Sequence, residues 1–534
     1  MKKTAIIVVL ASMMGMVACN QPLPPAPNAA PRASFEAAST VQARTPLTFA
    51  STSSDPDGDA LTYTWNFGDG TPTQGGATVS HAYNTAGAYT VTLTVSDTRL
   101  TSSVTRQVTV TPPVVSSEWR RVDTGTTGPT ASSFQRLRVD SNARGDTVAV
   151  WEDYPARLRL SVYNAATDTW GAVTALAQSG SFLNGARAQM LPDGTAVAVW
   201  LDVPVSGAAM RWRVARFTGD SWGSASDIIT LDADVQAVLN VELQVNAGGQ
   251  IALAWQAQRV SAGAYTRSYV STTGGAGWTT QKFGDDLAGP TKIALSDNRL
   301  IALYSSRTSP ATQTYSVFWT RLEGQSAWSN PQALLTTPAQ STCISNSSAC
   351  YAISAGRGGK AVALFWDAVG TFSGDGTISS KVLEADGTVW TDITDPLGAN
   401  TSFPLLRSDA AGNAMALYTT RDANNFGQLT SRRFDASTNT WTAVRTLGAF
   451  NLSIGAWNDS GEVIAYGENN GPKTTVNLGA AWSAITAYED YTNCIPRLSD
   501  VALDNAGFAV VAQICETPTV SQPLFIRAKR FSVR

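Results

Sequence analysis

From about residue 134 onward one pattern of hydrophobic and polar positions keeps returning: an alternating run, a short turn, then a nearly continuous apolar run that mostly closes on an aromatic residue. The clearest copy is LRVDSNARGDTVAVW, Leu137 to Trp151. Later copies end at Trp200, Trp255, Tyr304, Phe365, Tyr418, Tyr466 and Ala512. Alternation followed by a buried run predicts strand, tight turn, strand. The turn position falls at Gly145, Gly194, Gly249, Asn298, Gly359, Gly412, Gly461 and Gly507, 46 to 61 residues apart. A period of this length marks a repeat architecture.

A tryptophan series runs in step with the turns: Trp119, Trp170, Trp222, Trp278, Trp328, Trp390, Trp441 and Trp482. Each follows a third strand-like run and a short turn, as in RVARFTGDSW to Trp222, so one period holds four strands. Repeated four-stranded units predict an all-β fold, a β-propeller over residues 113–534 with about eight blades, or seven if the short repeat from Trp457 to Trp482 is degenerate. The last repeat carries three strands, through Leu524 to Phe531, and Trp119 precedes the first turn, so the segment around Trp119 is expected to complete the final blade. Closure of this kind removes sheet edges that would otherwise recruit other chains. The Trp series is read as wedge packing between blades.

Ahead of the repeats, residues 32–112 alternate strand-like runs (PLTFAS, LTYTWNF, YTVTLTVSD, RQVTVTP) with Gly, Asp and Ser turns, the pattern of a small β-sandwich. The stretches Asp55-Pro56-Asp57-Gly58-Asp59, Tyr63-Thr64-Trp65-Asn66-Phe67-Gly68-Asp69-Gly70, His81-Ala82-Tyr83 and Gly87-Ala88-Tyr89-Thr90-Val91 together resemble a PKD domain, with Asn66 where that family usually has Asp. The resemblance implies an immunoglobulin-like fold that serves secreted proteins as a spacer or adhesion module. Asp55, Asp57 and Asp59 could supply oxygen ligands to a structural calcium ion, while an acidic turn between strands is equally ordinary surface chemistry. His81 has no Cys, Ser or acidic partner within a motif and is read as structural. The propeller repeats resemble sialidase-like propellers weakly: the Asp-box is approached by Ser271 to Trp278, with Thr273 in place of the Asp, and by Ala385 to Trp390. In that family these boxes are structural turns.

At the N-terminus Lys2 and Lys3 precede an apolar run from Thr4 to Met16, too short for a bilayer span, so residues 1–18 read as a secretory signal. The ending Val17-Ala18-Cys19 resembles a bacterial lipobox, which implies cleavage before Cys19 and lipid on that residue. In a two-membrane cell, the resemblance of Asn20 after that Cys to lipoprotein sorting signals implies the outer membrane or cell surface. Residues 21–31, QPLPPAPNAAP, are proline-rich and read as a semi-rigid stalk within a lipidated segment 19–31.

Composition narrows the function. A formal net charge of -3 with no long Lys or Arg run gives no case for nucleic acid, and the membrane is reached through lipid alone. With Cys19 lipidated, Cys343, Cys350, Cys494 and Cys515 remain, an even number in an oxidising compartment, with Cys343–Cys350 and Cys494–Cys515 the favoured pairing. The one histidine, His81, lies outside the repeats, and no GxSxG, HExxH or phosphate-cradling loop is present, so no catalytic residue is assigned and no cofactor is expected beyond the calcium above. A sialidase-like glycoside hydrolase or polysaccharide lyase is the alternative. It would demand an arginine cluster, a Tyr paired with a carboxylate, and an Asp acid. The favoured reading is a monomeric, surface-tethered binding, adhesion or scaffold module for an extracellular glycan or protein. In a propeller the second-to-third strand loops share one face, and here they are long and varied. Asp153, Tyr154, Asp202, Arg259, Arg307, Trp366, Asp367, Arg421, Asp422 and Glu468 are the candidate binding residues.

Overall fold

The computed structural model describes residues 27–42, 46–71, 73–83, 87–111, 120–122, 134–153, 157–176, 181–204, 206–259, 266–274, 277–287, 290–309, 314–323, 327–337, 351–368, 376–398, 405–421, 427–448, 454–458, 461–467, 473–477, 486–487, 495–505, 507–516 and 525–532. These form an all-β chain in two compact units, one within residues 1–111 and one chiefly of residues 112–534. Among the described residues no helix is long and apolar enough to cross a membrane.

The first unit is a two-sheet sandwich. Phe35–Glu36, Leu47–Ser51 and Thr78–His81 make a three-stranded sheet, and a five-stranded sheet runs in the order Thr40–Gln42, Thr101–Thr111, Gly87–Ser96, Thr62–Asn66, Gln74–Gly75. Alternation does what the sequence implies: Val91, Leu93 and Val95 are fully buried while their neighbours face outward. Trp65 sits at the centre, edge-on to Phe35 at 5.1 Å, and its indole N–H donates to the Gly76 carbonyl at 2.8 Å. His81 does gain an acidic partner. The fold brings Asp69 to 2.7 Å from its Nε2, while its ring stacks on Phe67 at 4.0 Å. Burial alone would raise the Asp69 carboxyl, but hydrogen bonds from Thr71 and His81 outweigh it and hold the group below its ordinary range.

In the second unit the described residues form eight antiparallel sheets of four or five strands, and the last of them ends on Arg120–Arg121 from before the first. The innermost strands are Phe134–Ser141, Ser181–Met190, Val235–Val245, Lys292–Leu295, Tyr351–Ala355, Leu405–Ser408, Ile454–Trp457 and Ile495–Leu503, numbered here as blades 1 to 8. The second strands, such as Thr147–Asp153 and Ala196–Pro204, lie between two neighbouring sheets, which explains their unbroken apolar runs: Ala196 to Leu201 are all buried. Apolar clusters fill the space between consecutive blades, such as Leu158, Trp200 and Ala215 between blades 1 and 2. Met415, Leu417, Val463 and Ala465 do the same between blades 6 and 7, and Leu137, Trp151, Val510 and Ile526 between blades 8 and 1. Trp222, Trp278, Trp328, Trp390 and Trp441 each pack on such a cluster.

The ring is closed by chain from before blade 1. Arg120 and Arg121 pair with Ala528 and Arg527, and the Val122 amide donates to the Ile526 carbonyl at 2.8 Å. Trp119 and Trp482 lie outside the described residues. The turns between first and second strands put Gly145, Gly194, Gly249, Gly359, Gly412, Gly461 and Gly507 at positive φ, where a side chain would be strained. Blade 4 departs from the expected pattern. Its turn is one residue shorter, running from the Ser296 amide to the Arg299 carbonyl, and Asn298 is not in the left-handed region.

Candidate ligand site in the central cavity

The innermost strand of a blade has no partner on its axial edge, so some of its amides need side-chain acceptors. Neighbouring blades provide them. Asp140 accepts from the Met190 amide, Gln244 from Leu295, Ser354 from Ser408 and Asp500 from Val139, each at 2.8 Å.

The cavity enclosed by these strands has two ends of different character. At the glycine-turn end the polar groups are spent on one another: the side-chain amides of Asn142, Asn246 and Asn458 donate to the Leu191, Ser296 and Asp504 carbonyls at 3.0, 3.0 and 2.8 Å. This end is a pocket of about 230 Å³.

The other part of the cavity, about 530 Å³, is lined by charge. Register fixes its layout. Arg138 pairs with Val150, Arg187 with Val199, Glu242 with Ala254, Lys292 with Leu303 and Asp500 with Ala512, equivalent positions in blades 1, 2, 3, 4 and 8. Arg136, opposite Glu152, lies one level closer to the second-to-third strand loops, and Arg407 enters from blade 6.

The arginines are not neutralised by the carboxylates around them. Arg138, Arg187 and Arg407 each donate one Nη1 to the carbonyl of the preceding residue, at 2.8, 2.8 and 3.0 Å, and none makes an ion pair with a described carboxylate. Lys292 approaches Glu242 at 3.8 Å. Burial, then the nearby Arg138 and Arg136, push the Arg187 guanidinium down to about 10. Burial likewise raises Asp500 to about 6 against the pull of Arg138, the Val139 and Val501 amides and Arg187. It also raises Glu152, whose Oε1 accepts from the Ala186 amide at 3.2 Å. Lys292 and Glu242 thus pair across the cavity, while Arg138, Arg187 and Arg407 make no ion pair with a described carboxylate.

The residues chosen from sequence divide. Asp202 is 5% exposed and accepts from Arg211 Nε at 3.1 Å across its own hairpin, so its carboxylate is committed to an ion pair. Trp366 is half-buried against the blade 5–6 cluster, and its indole N–H is enclosed without an acceptor. Asp153, Arg259, Arg307, Asp367 and Arg421 lie at or near the ends of second strands, with side chains outside the described residues, and Tyr154, Asp422 and Glu468 lie outside them altogether. Sequence reasoning missed the cavity-lining Arg138, Arg187, Lys292 and Arg407, with Arg136 and the buried carboxylates Glu152 and Asp500 nearby. The available signal was the alternation Arg136-Leu137-Arg138-Val139-Asp140 in a strand that had to be innermost.

In the sandwich, Asp55 Oδ1 accepts from the amides of Asp57 and Asp59 at 2.9 and 3.1 Å, and Asp57 accepts from the Ala29 amide at 2.6 Å. Among the described residues no group of three or more His, Cys, Asp or Glu is arranged to hold a metal ion. Cys343, Cys350 and Cys494 lie outside the described residues, while Cys515 is fully buried in blade 8.

Comparison with known proteins finds a family match for the first unit. The PKD domain family matches residues 28–112. The PKD1 domain of Vibrio anguillarum Epp is 35% identical over 16% of this chain and 100% of that one, with a TM-score of 0.15. The GH93 alpha-L-arabinofuranosidase of Fusarium graminearum is 11% identical over 66% of this chain and 93% of its own, with a TM-score of 0.36. The beta-propeller domain of the Trilobed protease from Pyrococcus furiosus is 10% identical over 67% and 99%, with a TM-score of 0.37. No curated protein matches the chain. The strand topology and the PKD match make the protein an all-β chain that joins an immunoglobulin-like sandwich to a β-propeller. Its residues 28–112 belong to the PKD domain family.

Proposed function

We propose that the protein is a non-enzymatic binding module of the cell envelope, whose propeller takes an extracellular glycan or protein at the end of the ring where the second-to-third strand loops gather. The observation that carries this reading is the contrast between the two ends of the cavity: hydrogen bonds between turns hold polar groups at one, while Arg138 and Arg187 near the other make no direct ion pair with a described carboxylate. Unspent charge on a rigid scaffold is what a binding site offers. Residues 19–31 tether the chain through lipid on Cys19, and the PKD domain spaces the propeller from the outer membrane. The molecule works as a monomer, with disulfides joining Cys343 to Cys350 and Cys494 to the buried Cys515.

Glycan-array and cell-surface binding by the full chain test the assignment. Replacing Asp153 with Tyr154, or Arg421 with Asp422, by alanine is expected to weaken binding, while Asp193→Ala in a glycine turn leaves it intact. Equal loss from both faces would locate the site elsewhere.

The hydrolase reading would need an acid that reaches substrate, and Asp500, raised to about 6 by burial, is enclosed and accepts from the Val139 amide. The described tyrosine–carboxylate pair, Tyr163 with Asp168 at 2.5 Å, sits instead at the outer hairpin of blade 1. Release of reducing ends from any arrayed glycan would make that reading the better one.

A further inference from the structure

We propose that the groove between blades 1 and 2, on the outer rim of the glycine-turn end, is a second ligand site that takes a neutral hexopyranose unit against the ring of Trp222. The proposal rests on the binding-module reading, and adds to it a site outside the central cavity and the class of its ligand.

The groove holds about 630 Å³, more than either part of the central cavity. Its walls are the third-to-fourth strand hairpins of the two blades, and its floor is their glycine turns. On the blade 2 side Phe217 and Trp222 face each other across the hairpin, both half-buried, with ring centroids 5.5 Å apart. Packing on the blade 1–2 cluster fixes the Trp222 ring. Its indole N–H makes no hydrogen bond to a described residue and is not enclosed, unlike those of Trp151 and Trp212. A rigid ring with an open N–H offers a sugar an apolar surface and a donor together.

The same tight turn supplies polar groups. Asp220 and Ser221, directly before Trp222, line the groove and are exposed, and neither side chain bonds to a described residue. From blade 1 comes Arg144, whose guanidinium lies across Gly194, where a Cβ would collide with its Nη2. That side chain is 44% exposed and pairs only with Asp146, at 3.3 Å, so most of its five donors remain to be used. A carboxylate acceptor, a donor fork and an aromatic ring around one groove suit the hydroxyl edges and C–H face of a pyranose. Charge narrows the choice: Asp146, Asp193 and Asp220 line the groove against Arg144 alone, so an acidic sugar would meet repulsion that a neutral one avoids. Asp193 itself stays out of the site, because its Oδ1 accepts from the Thr195 amide and hydroxyl at 2.9 and 2.7 Å.

Calorimetric titration of the purified full chain tests the site, with methyl glucoside, methyl galactoside, methyl mannoside, N-acetylglucosamine and glucuronate as probes. The expected result is saturable, millimolar binding of at least one neutral hexopyranoside, at least fivefold tighter than glucuronate. Asp220→Ala should weaken it at least fivefold without moving the melting temperature, while Asp386→Ala, on the corresponding exposed turn of blade 5, leaves it unchanged. Trp222→Ala should abolish it. Should that variant fail to fold, Trp222→Phe keeps an aromatic ring and loses the N–H, and a drop of threefold or more is expected. No saturable binding of any neutral probe, preference for glucuronate, or full affinity in both Asp220→Ala and Trp222→Phe would overturn the site. Loss of hexopyranoside binding in Arg421→Ala/Asp422→Ala would move the sugar to the loop face and overturn it equally. Cell-surface binding that persists in any of those cases would leave the binding-module reading standing.

Discussion

Asp500 in blade 8 accepts a hydrogen bond from the Val139 amide of blade 1 at 2.8 Å, joining residues 361 positions apart. The contact crosses the seam where the ring closes, and it places a buried carboxylate against the arginine cluster.

A pH dependence of stability follows from this placement. The folded state holds the Asp500 proton up to about 6, against an ordinary 3.8. Between those values the folded protein binds more protons than the unfolded chain, so the contribution is present at low pH and is lost as pH rises through the window. The two-unit displacement corresponds to roughly 3 kcal/mol. Asp500→Asn keeps an acceptor for Val139 and should flatten the melting-temperature profile between pH 4 and 6. An unchanged profile would sink the assignment. Raised Glu152 acts in the same direction and leaves a residual slope.

Closure should depend on the strand that precedes blade 1. Val122 is 2% exposed and packs in the cluster between blades 8 and 1. Val122→Asp puts a charge there and is expected to cost about 3 kcal/mol, read by urea denaturation. Deleting residues 114–124 should leave an open sheet edge and promote aggregation, measured by light scattering. A deletion product as soluble and heat-stable as the parent would show that Arg120 to Val122 do not close the ring.

Gly356 is required for a reason its φ does not reveal. A Cβ there would lie 2.5 Å from the Gly412 amide nitrogen of the next blade. The adjacent Arg357 amide bonds to the Ala410 carbonyl at 3.1 Å. Gly356→Ala should therefore separate two turns and destabilise the protein by about 2 kcal/mol. Gly358→Ala meets nothing within 4 Å and should cost less. Equal melting temperatures for the two variants would refute the close-contact explanation.

Two residues chosen from sequence for binding should behave as structural ones. Asp202→Ala removes the partner of Arg211 and is expected to cost about 1 kcal/mol. Trp366→Ala strips a half-buried ring from the blade 5–6 cluster and should cost about 2 kcal/mol. Both should keep ligand affinity when assayed below their melting temperatures. Loss of affinity without loss of stability would return them to the site.

Lipidation is tested independently of the fold. Cys19→Ser should abolish labelling by radioactive fatty acid and either move the protein out of the membrane fraction or stop its processing. An unchanged membrane fraction would remove the tether from the functional reading.

Much of the architecture was legible in the sequence because it depends on local periodicity. Period-two alternation marks the strands, buried apolar runs mark second strands such as Val148 to Trp151, and glycine at positive φ marks their turns. The WNFGDG stretch gave the sandwich its family, since Trp65 and Phe67 have to fill its centre. What sequence could not provide was which residues face one another across the ring. Asp69 beside His81, Asp202 against Arg211 and Asp500 under Val139 are pairings of chain segments brought together by sheet register and closure, and no local pattern encodes them. The same holds for the candidate site. Arg138 and Arg187 are 49 residues apart and read as ordinary polar positions of two separate strands. Only the ring sets those strands side by side around a cavity.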